Sequence, residues 1–299
     1  MSSLTITRVN SVYHPARKVL RKVCHYFVFI MFASTSMATV AETGTNGSLI
    51  SITSNPDNKT LMLAYSQALF QLNMEDNSRE LIPLPQSVIT LTGVAVNNEN
   101  GEIFIATQTQ GVLTSSNHGK SWEPRNNGLA SRTITALTQH AQQPETLYAI
   151  DPTQGIYHTE DAGKNWLLVD GGPPEMNNVI IHSDMPDSMQ TGWIFTATSN
   201  GVSRSMDCFC LWSQAGELQG EITALSYDPQ LPKQIYAATD KSIFLTKDGG
   251  QNWTQISVLK STFSALHITD SGIIYAGTQN GKLMKSADKA QDWDVIDGK

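Results

Sequence analysis

The sequence predicts an all-β fold, a six-bladed β-propeller built from four-stranded antiparallel blades. Three observations predict it. Five tryptophans recur at intervals of 40 to 46 residues, each follows a similar polar turn, and each interval holds short apolar runs bounded by Gly, Asn or Asp. Such runs are typical of β-strands, and four of them in each interval give the period of a propeller blade. A seventh blade is the alternative if the N-terminal segment contributes strands.

A single blade cannot bury both faces of its sheet, so the repeats are expected to stack around an axis. The predicted propeller domain covers residues 42–299, and its blades occupy about 49–83, 88–124, 133–169, 177–214, 221–257 and 263–297. The first blade begins with its own innermost strand and the last ends with its own outermost strand. Ring closure is therefore expected to rely on packing between these two blades, unless residues 42–48 add a strand.

The composition excludes other fold classes. Of the 299 residues, 40% are hydrophobic and 16% are charged, and the 21 glycines and 12 prolines are spread through apolar segments. Disorder is therefore not expected. No sustained helical periodicity is present, which argues against a coiled coil or a helical bundle.

Residues 1–41 have the order of a secretory signal peptide. Five basic residues without any acidic one are followed by the apolar run 26–33 and by small residues that end at Ala41. This order predicts export, to the periplasm or out of the cell. Cleavage after Ala41 is preferred to cleavage after Ala38. An uncleaved membrane anchor is the competing interpretation, because the span 23–41 is just long enough to cross a bilayer.

The charge balance limits the partners. The 20 Lys and Arg residues and 27 Asp and Glu residues give a net charge of −7, and removal of residues 1–41 leaves about −12. An acidic surface repels phosphate backbones, so nucleic acid is not an expected partner. No later apolar run is long enough to span a bilayer, so contact with a membrane is expected only through an uncleaved N-terminal segment.

The repeated turn has the pattern Ser/Thr-x-Asp/Asn-x-Gly-x-x-Trp, and two of its five copies lack the glycine. The residues of the copies are Ser115, Asn117, Gly119 and Trp122; Thr159, Asp161, Gly163 and Trp166; Ser205, Asp207 and Trp212; Thr246, Asp248, Gly250 and Trp253; and Ser286, Asp288 and Trp293. A sixth, degenerate copy has Asp76 in the turn and Leu81 at the place of the tryptophan.

This turn resembles the Asp-box, also called the bacterial neuraminidase repeat, and the five copies span about residues 49–297. The resemblance implies a propeller superfamily that includes sialidases, other glycan-active propellers, sortilin-type receptors and photosystem II assembly factors. The segment 227–239 is most similar to the small exported members related to the assembly factors. The resemblance also implies that the turn joins the third and fourth strands of a blade, on the face opposite the usual binding face.

The turn is expected to be structural. Its Asp accepts hydrogen bonds from nearby backbone N–H groups, its Gly supplies a positive φ, and its Trp covers apolar area between blades. A metal or sugar site at Asp161 or Asp248 is the alternative, and it is disfavoured because all copies repeat the same residues. Where Phe209 and Ala290 replace the glycine, a shifted turn and local strain are expected.

The sequence does not favour an enzyme, and neither a cofactor nor a metal is expected. A sialidase needs three arginines around a carboxylate, but Arg125 and Arg132 lie in one link between blades, and Arg79 lies in the degenerate turn. The sequence contains no His-x-x-x-His pair, no Gly-x-Ser-x-Gly motif and no phosphate loop. The histidines are scattered singly. A glycosidase pair of carboxylates is not singled out by spacing and stays open.

Cys208 and Cys210 lie within the fourth turn. In an exported protein they are expected to be oxidised, and a strained bridge between them would replace the glycine of the turn. Redox exchange or metal capture is the alternative, although two cysteines do not complete a zinc site.

A ligand is expected at the loops between second and third strands and at the links between blades. These segments are rich in neutral amides, which suit hydrogen bonding to a peptide, a glycan or a partner backbone. The candidate binding residues are Gln108, Gln110, Gln154, Asn200, Gln279, Asn280 and Arg125. The favoured function is a non-catalytic, monomeric module that binds a protein of the cell envelope. The alternative is a glycan-binding or glycoside-hydrolysing protein of the same superfamily.

Overall fold

Twenty-four strands form six sheets in the computed structural model, which describes residues 46–186, 188, 192–206, 209, 211–218 and 220–296. Each sheet has four antiparallel strands that lie in chain order, and no helix is present in these ranges. The predicted six-bladed propeller is therefore confirmed, with six blades rather than seven. The predicted signal peptide, as well as Asp207, Cys208 and Cys210, lies outside the described residues.

The first three blades contain the strands β1 to β12. They are β1 (Leu49–Ser54), β2 (Thr60–Tyr65), β3 (Leu69–Asn73) and β4 (Arg79–Ile82); β5 (Leu91–Val96), β6 (Ile103–Thr107), β7 (Val112–Ser115) and β8 (Glu123–Pro124); and β9 (Ala136–Gln139), β10 (Leu147–Asp151), β11 (Gly155–Thr159) and β12 (Leu167–Asp170).

The last three blades contain β13 to β24. They are β13 (Met176–Ser183), β14 (Trp193–Thr198), β15 (Gly201–Ser205) and β16 (Trp212–Gln214); β17 (Ala224–Asp228), β18 (Leu231–Ala238), β19 (Ser242–Thr246) and β20 (Thr254–Val258); and β21 (Phe263–Ile268), β22 (Ile274–Thr278), β23 (Leu283–Ser286) and β24 (Asp294–Ile296).

The second strand of each blade is apolar along most of its length because it is buried on both faces. In β6, Ile103 and Ile105 pack into the interface with blade 1, whereas Phe104 and Ala106 pack into the interface with blade 3. Successive side chains of a strand point to opposite faces of its sheet, so a strand between two neighbours must be apolar at every position. Six hydrophobic clusters result, one at each interface between blades.

The ring closes by packing of blade 6 against blade 1, as predicted. Leu49 and Tyr65 of blade 1 share a cluster with Tyr275 of blade 6, and the Ser264 hydroxyl donates to the Leu49 carbonyl at 2.8 Å. The first blade lacks a tryptophan in its turn. Leu81 does not replace it, because that side chain is 56% exposed.

Arg79 takes the place of the tryptophan in blade 1. Its Nη2 donates to the carbonyl of Ile296 in the last strand at 3.0 Å, and its Nη1 donates to the Tyr65 hydroxyl at 3.3 Å. At the outer rim, a charged side chain of blade 1 thus donates to the neighbouring blade, whereas in blades 2 to 5 the donor is an indole.

Candidate functional site

The antiparallel order of the strands gives each blade two ends. The loop between its first and second strands and the repeated turn between its third and fourth strands lie at one end, which we call the turn face. The loop between its second and third strands and the link to the next blade lie at the other end, which we call the loop face. Neighbouring blades meet with the same ends together, since Asn97 of blade 2 donates to Pro144 of blade 3 at 3.0 Å, both on the turn face.

The repeated turns are held by the same internal hydrogen bonds. In blade 5, the Thr246 hydroxyl donates to Asp248 Oδ1 at 2.7 Å and accepts from the Gly250 N–H at 2.9 Å. Asp248 Oδ1 also accepts from the N–H groups of Gln251 and Asn252. Partial burial raises the pKa of Asp248, but these hydrogen bonds outweigh that effect and lower it to about 2. The carboxylate is therefore ionised and engaged in the hydrogen bonds of the turn.

The residues that replace glycine keep its hydrogen bond to the Ser hydroxyl. The N–H of Phe209 donates to Ser205 Oγ at 3.1 Å, and the N–H of Ala290 donates to Ser286 Oγ at 3.0 Å. Both residues have a positive φ, 68° and 69° respectively. In the blade 6 turn, where Asp288 Oδ1 also accepts from the Asp292 N–H at 3.0 Å, the expected shift of the turn is therefore wrong. The expected strain is present at both residues, because a side chain at positive φ meets its own backbone.

Four of the five tryptophans donate a hydrogen bond to the preceding blade. Trp122, Trp166 and Trp253 donate through Nε1 to the carbonyls of residues 83, 125 and 215, at 2.8, 2.9 and 2.7 Å. Trp212 donates to Asp170 Oδ1 at 2.7 Å instead. Within the described residues, Trp293 Nε1 has no partner, and its ring packs edge-to-face on Phe263. The four hydrogen bonds join neighbouring blades, whereas Phe263 belongs to the same blade as Trp293.

The predicted binding residues other than Arg125 lie on the loop face, around the ring on different blades. Gln108, Gln154 and Gln279 are exposed, and their backbones are held by hydrogen bonds to neighbouring segments. Asn200 Nδ2 donates to Glu175 at 3.1 Å. Asn280 Oδ1 accepts from the Thr278 hydroxyl at 2.6 Å. These two amides are thus partly occupied within the protein.

Arg125 is placed apart from these loops. Its Nη2 lies 3.9 Å from Glu102 and 3.7 Å from Glu123, and Glu102 belongs to a loop of the turn face. Its carbonyl accepts the bond from Trp166, and the Gly163 turn packs on its Cβ. Arg125 thus contacts the interface between blades 2 and 3 rather than the glutamine loops.

One depression is present on the loop face between blades 2 and 3, with a volume of about 540 Å³. It brings the predicted residue Gln110 together with the link that follows blade 2. The polar and apolar residues that form it include Thr109, Gln110, Asn126, Asn127, Leu129 and Arg132.

A central channel of about 520 Å³ runs between the six inner strands. Its wall is formed mainly by aliphatic, hydroxyl, amide and imidazole side chains, and Asp270 is the one carboxylate among its described lining residues. The carboxyl groups whose pKa is shifted, Asp57, Asp151, Asp161, Asp248 and Asp288, all have it lowered, which is the opposite of what a general acid needs.

Three histidines lie at the turn-face end of the channel. The rings of His140 and His182 stack with their centroids 3.8 Å apart, and His267 Nε2 lies 2.6 Å from Ser54 Oγ. The expectation of scattered histidines missed this arrangement. Each of the three is at or near the end of an inner strand, so alignment of the repeats by strand position rather than by turn would have found it.

Tyr227 lies near the end of the inner strand of blade 5, at the same end of the channel. Burial raises its pKa to about 12, and the charges of Asp184 and Asp270 add to this effect. The phenol is therefore protonated at physiological pH.

Two further observations bear on cofactors and membranes. In the described ranges, no group of three or more His, Cys, Asp or Glu residues is arranged to hold a metal ion. No helix in the same ranges has the length and hydropathy needed to span a membrane.

Sequence comparison finds no family model and no curated protein that matches the chain. Comparison of structures does find relatives. The GH74 xyloglucanase from Xanthomonas campestris matches with a TM-score of 0.59 and 16% identity, over 84% of this chain and 47% of the enzyme. The GH74 enzyme from Niastella koreensis gives 0.59 and 16%, over 82% and 46%. The fold of this chain is a β-propeller.

A third structure is the extracellular domain of a hybrid two-component system from B. thetaiotaomicron, with a TM-score of 0.56, 13% identity, and coverage of 80% of this chain and 32% of that one. The propeller thus spans about half the length of the two GH74 enzymes and about a third of the extracellular domain. Identities this low show a shared fold alone.

Proposed function

We propose that this chain is an exported binding module whose loop face docks a protein of the cell envelope. The observation that carries the proposal is the scarcity of charged side chains on half of that face. Over blades 1 to 3 its loops and links are residues 46–48, 66–68, 83–90, 108–111, 125–135, 152–154 and 171–175, which contain three ionisable side chains, Arg125, Arg132 and Glu175. Arg125 pairs with Glu102 and Glu123, so Arg132 is the one of the two arginines without an ion pair among the described residues. The cores of protein–protein interfaces are depleted in charged side chains, and they are enriched in arginine.

The proposed mechanism is surface complementarity without bond chemistry. Amide and hydroxyl groups of the loops can donate to and accept from a partner backbone, and Ile89, which is 73% exposed, supplies an apolar contact. The backbones of these loops are already fixed, because the Gly111 N–H donates to the Arg132 carbonyl and the Gln108 N–H donates to the Thr90 carbonyl. A fixed surface loses little conformational entropy on binding.

The relationship proposed for this chain is to the small exported propellers with the Asp-box. The support is the turn geometry, in which the Ser or Thr hydroxyl accepts from the residue at the glycine position in all five copies. Export is supported by the order of residues in the N-terminal segment, and one structural relative is itself an extracellular domain.

Crosslinking in the native envelope, followed by purification and quantitative identification of bound proteins, tests the proposal. The test variant combines Gln108→Ala, Gln154→Ala and Gln279→Ala on the loop face. The matched control combines Lys120→Ala, Lys164→Ala and Gln251→Ala, which are exposed residues of the turn face. A stoichiometric partner that the test variant loses and the control retains is expected. A partner lost only in the control would move the docking surface to the turn face, and the absence of any partner would overturn the proposal.

A glycoside hydrolase is the second candidate, because two of the structural relatives are GH74 enzymes. Such an enzyme needs two carboxyl groups about 5–10 Å apart. Asp184 and Asp270 are the acids whose charges reach Tyr227 at the channel end, so they are the pair to test. Hydrolysis of xyloglucan or of another polysaccharide that is abolished by both Asp184→Asn and Asp270→Asn would establish this candidate.

A further inference from the structure

We propose that the depression between blades 2 and 3 binds an extended peptide segment of the partner through an acidic side chain, with Arg132 as the group that pairs with the carboxylate. The inference rests on the proposed function and adds to it a place and a chemical class of ligand. It follows from three properties of the depression: a fixed frame, a set of polar groups without internal partners, and an isolated positive charge.

The frame is fixed by the two asparagines of the link. Asn126 Oδ1 accepts from the Val112 N–H at 2.8 Å, and its Nδ2 donates to the Gln110 carbonyl at 2.9 Å. Asn127 Nδ2 donates to Asn165 Oδ1 at 2.6 Å, and its carbonyl accepts from the Trp166 N–H. Both side-chain amides are therefore engaged in hydrogen bonds that hold the link in place. The walls of the depression exist before a ligand arrives, which reduces the entropy lost on binding.

The remaining polar groups are available to a ligand. Within the described ranges, no side-chain hydrogen bond engages the Gln110 amide or the Thr109 hydroxyl. Arg132 is exposed and uses Nη1 for one bond, to the Asn126 carbonyl at 3.2 Å, so its Nη2 and Nε remain for another acceptor. A glutamine amide can pair with both the N–H and the C=O of a peptide, and a guanidinium pairs with a carboxylate through two parallel bonds.

The charge pattern selects an anion. Arg132 is the one ionisable residue among those that line the depression, and it forms no ion pair among the described residues. The nearby Asp151 carboxylate is engaged by Thr153, Gln154 and Ser131. The chain as a whole carries a net charge of −7, so its overall field disfavours an acidic partner, and an exposed arginine without an ion pair offers such a partner a local attraction. Such a pattern fixes where and in which register a partner binds more than it raises affinity.

An acidic glycan is the less suitable ligand for this depression. Sugar rings pack well on the faces of aromatic side chains, and no aromatic side chain lines the depression. Its apolar contribution comes from Leu129 and Pro124, which suit an aliphatic side chain or a backbone. The observations therefore favour a peptide, and an oligogalacturonate serves as the competing probe.

The test is a selection of displayed random twelve-residue peptides on residues 42–299. Three baits are compared: the wild type, Arg132→Gln, and Lys260→Gln, which removes an exposed positive charge from the other half of the loop face. We expect Asp or Glu to be enriched at one position of the peptides selected on the wild type and on Lys260→Gln. No such enrichment is expected on Arg132→Gln. The most enriched peptide is then synthesised with both termini blocked, so that its acidic side chain is its only carboxylate.

Fluorescence anisotropy of that peptide gives the quantitative result. Replacing its acidic residue by the matching amide and replacing Arg132 by Gln should each weaken binding at least tenfold, whereas Lys260→Gln should change it less than twofold. Binding that requires a free C-terminus, equal binding to Arg132→Gln, or binding of oligogalacturonate in place of every peptide would overturn the inference. If the selected peptides bind Arg132→Gln but do not bind the variant in which Gln108, Gln154 and Gln279 are replaced by Ala, the inference is overturned. The proposed function is not contradicted by that result.

Discussion

The pKa of His267 depends on the place of this residue in the ring. It lies in the channel wall of blade 6, and its Nε2 is 2.6 Å from the hydroxyl of Ser54 in blade 1. Burial lowers its pKa from 6.5 to about 4, because the charged ring loses hydration there. The neutral imidazole therefore joins the last blade to the first at physiological pH.

This lowered pKa predicts a loss of stability in mild acid. The unfolded chain binds the proton first as the pH falls, so the contribution of His267 is complete above about pH 6.5 and decreases towards pH 4, by about 3 kcal/mol in total. Asp161 and Asp248, whose pKa values are lowered, act below this window. Urea unfolding between pH 4 and 7 should show a smaller decrease for His267→Gln than for the wild type. Equal slopes for the two proteins would contradict the prediction.

Single glycines of the repeated turns differ in what surrounds them. At Gly119, with φ +75°, an added Cβ would lie 2.5 Å from Ile82 Cγ2 and 2.7 Å from the Pro83 carbonyl. At Gly163, with φ +78°, the nearest atom would be Arg125 Cβ at 3.2 Å. At either site a residue other than glycine is strained by the positive φ. Only at Gly119 would the added Cβ also collide with fixed backbone.

We therefore expect Gly119→Ala to lower the free energy of unfolding by about 2–4 kcal/mol, because overpacking adds to the strain of a positive φ. Gly163→Ala should cost about 1 kcal/mol, since strain is partly offset by the lower entropy of the unfolded chain. Ala290 already occupies the same position in blade 6, at φ 69°. Thermal and urea unfolding of the two variants measure the difference, and equal losses would show that the preceding blade yields to the added carbon.

At the scale of the element, the repeated turn and its tryptophan act as a clamp on the preceding blade. The clamp is complete in blade 5, where Trp253 Nε1 donates to the Ala215 carbonyl at 2.7 Å. In blade 6 the indole of Trp293 packs on Phe263 with a centroid separation of 4.7 Å, but its Nε1 has no partner among the described residues. A comparison of the two blades therefore distinguishes the contribution of indole packing from that of the indole hydrogen bond.

This difference predicts unequal effects of the same substitution. Trp253→Phe removes the donor and leaves the Ala215 carbonyl without it, whereas Trp293→Phe removes no hydrogen bond seen in the described region. Both lose a similar amount of apolar area. Trp253→Phe should therefore cost about 1–2 kcal/mol more than Trp293→Phe. Equilibrium unfolding in urea measures both, and a larger loss for Trp293→Phe would show that packing on Phe263 outweighs the hydrogen bond.

At the scale of the whole molecule, the sequence predicted the features that repeat and missed those that occur once. The tryptophan spacing predicted six blades, because each blade must bury both faces and so repeats the same apolar pattern. The joint between blades 6 and 1 depends on Arg79, which replaces the tryptophan and has no counterpart in the other turns. The depression on the loop face depends on how the link after blade 2 folds against the Gln110 loop, and spacing along the chain does not encode that contact.

The joint itself predicts how the ring opens. Among the described strands β24 pairs only with β23, and the Arg79 guanidinium donates to the Ile296 carbonyl at the end of β24. Shortening this side chain in Arg79→Gln should remove the bond, destabilise the last strand by about 1–2 kcal/mol, and speed its amide exchange by roughly tenfold. The amides of β20, the outer strand of blade 5, should change less.

Hydrogen exchange followed by mass spectrometry measures β20 and β24 in the same sample. Arg132→Gln is the control, because it removes the same charge from an exposed site away from the joint. Faster exchange confined to β24 would show that the ring opens between its first and last blades, as expected for a closure made by packing and one charged donor rather than by a shared strand. Exchange that rises equally in β20 and β24 would instead show that the six blades unfold as a single cooperative unit, with no weaker interface at blade 1.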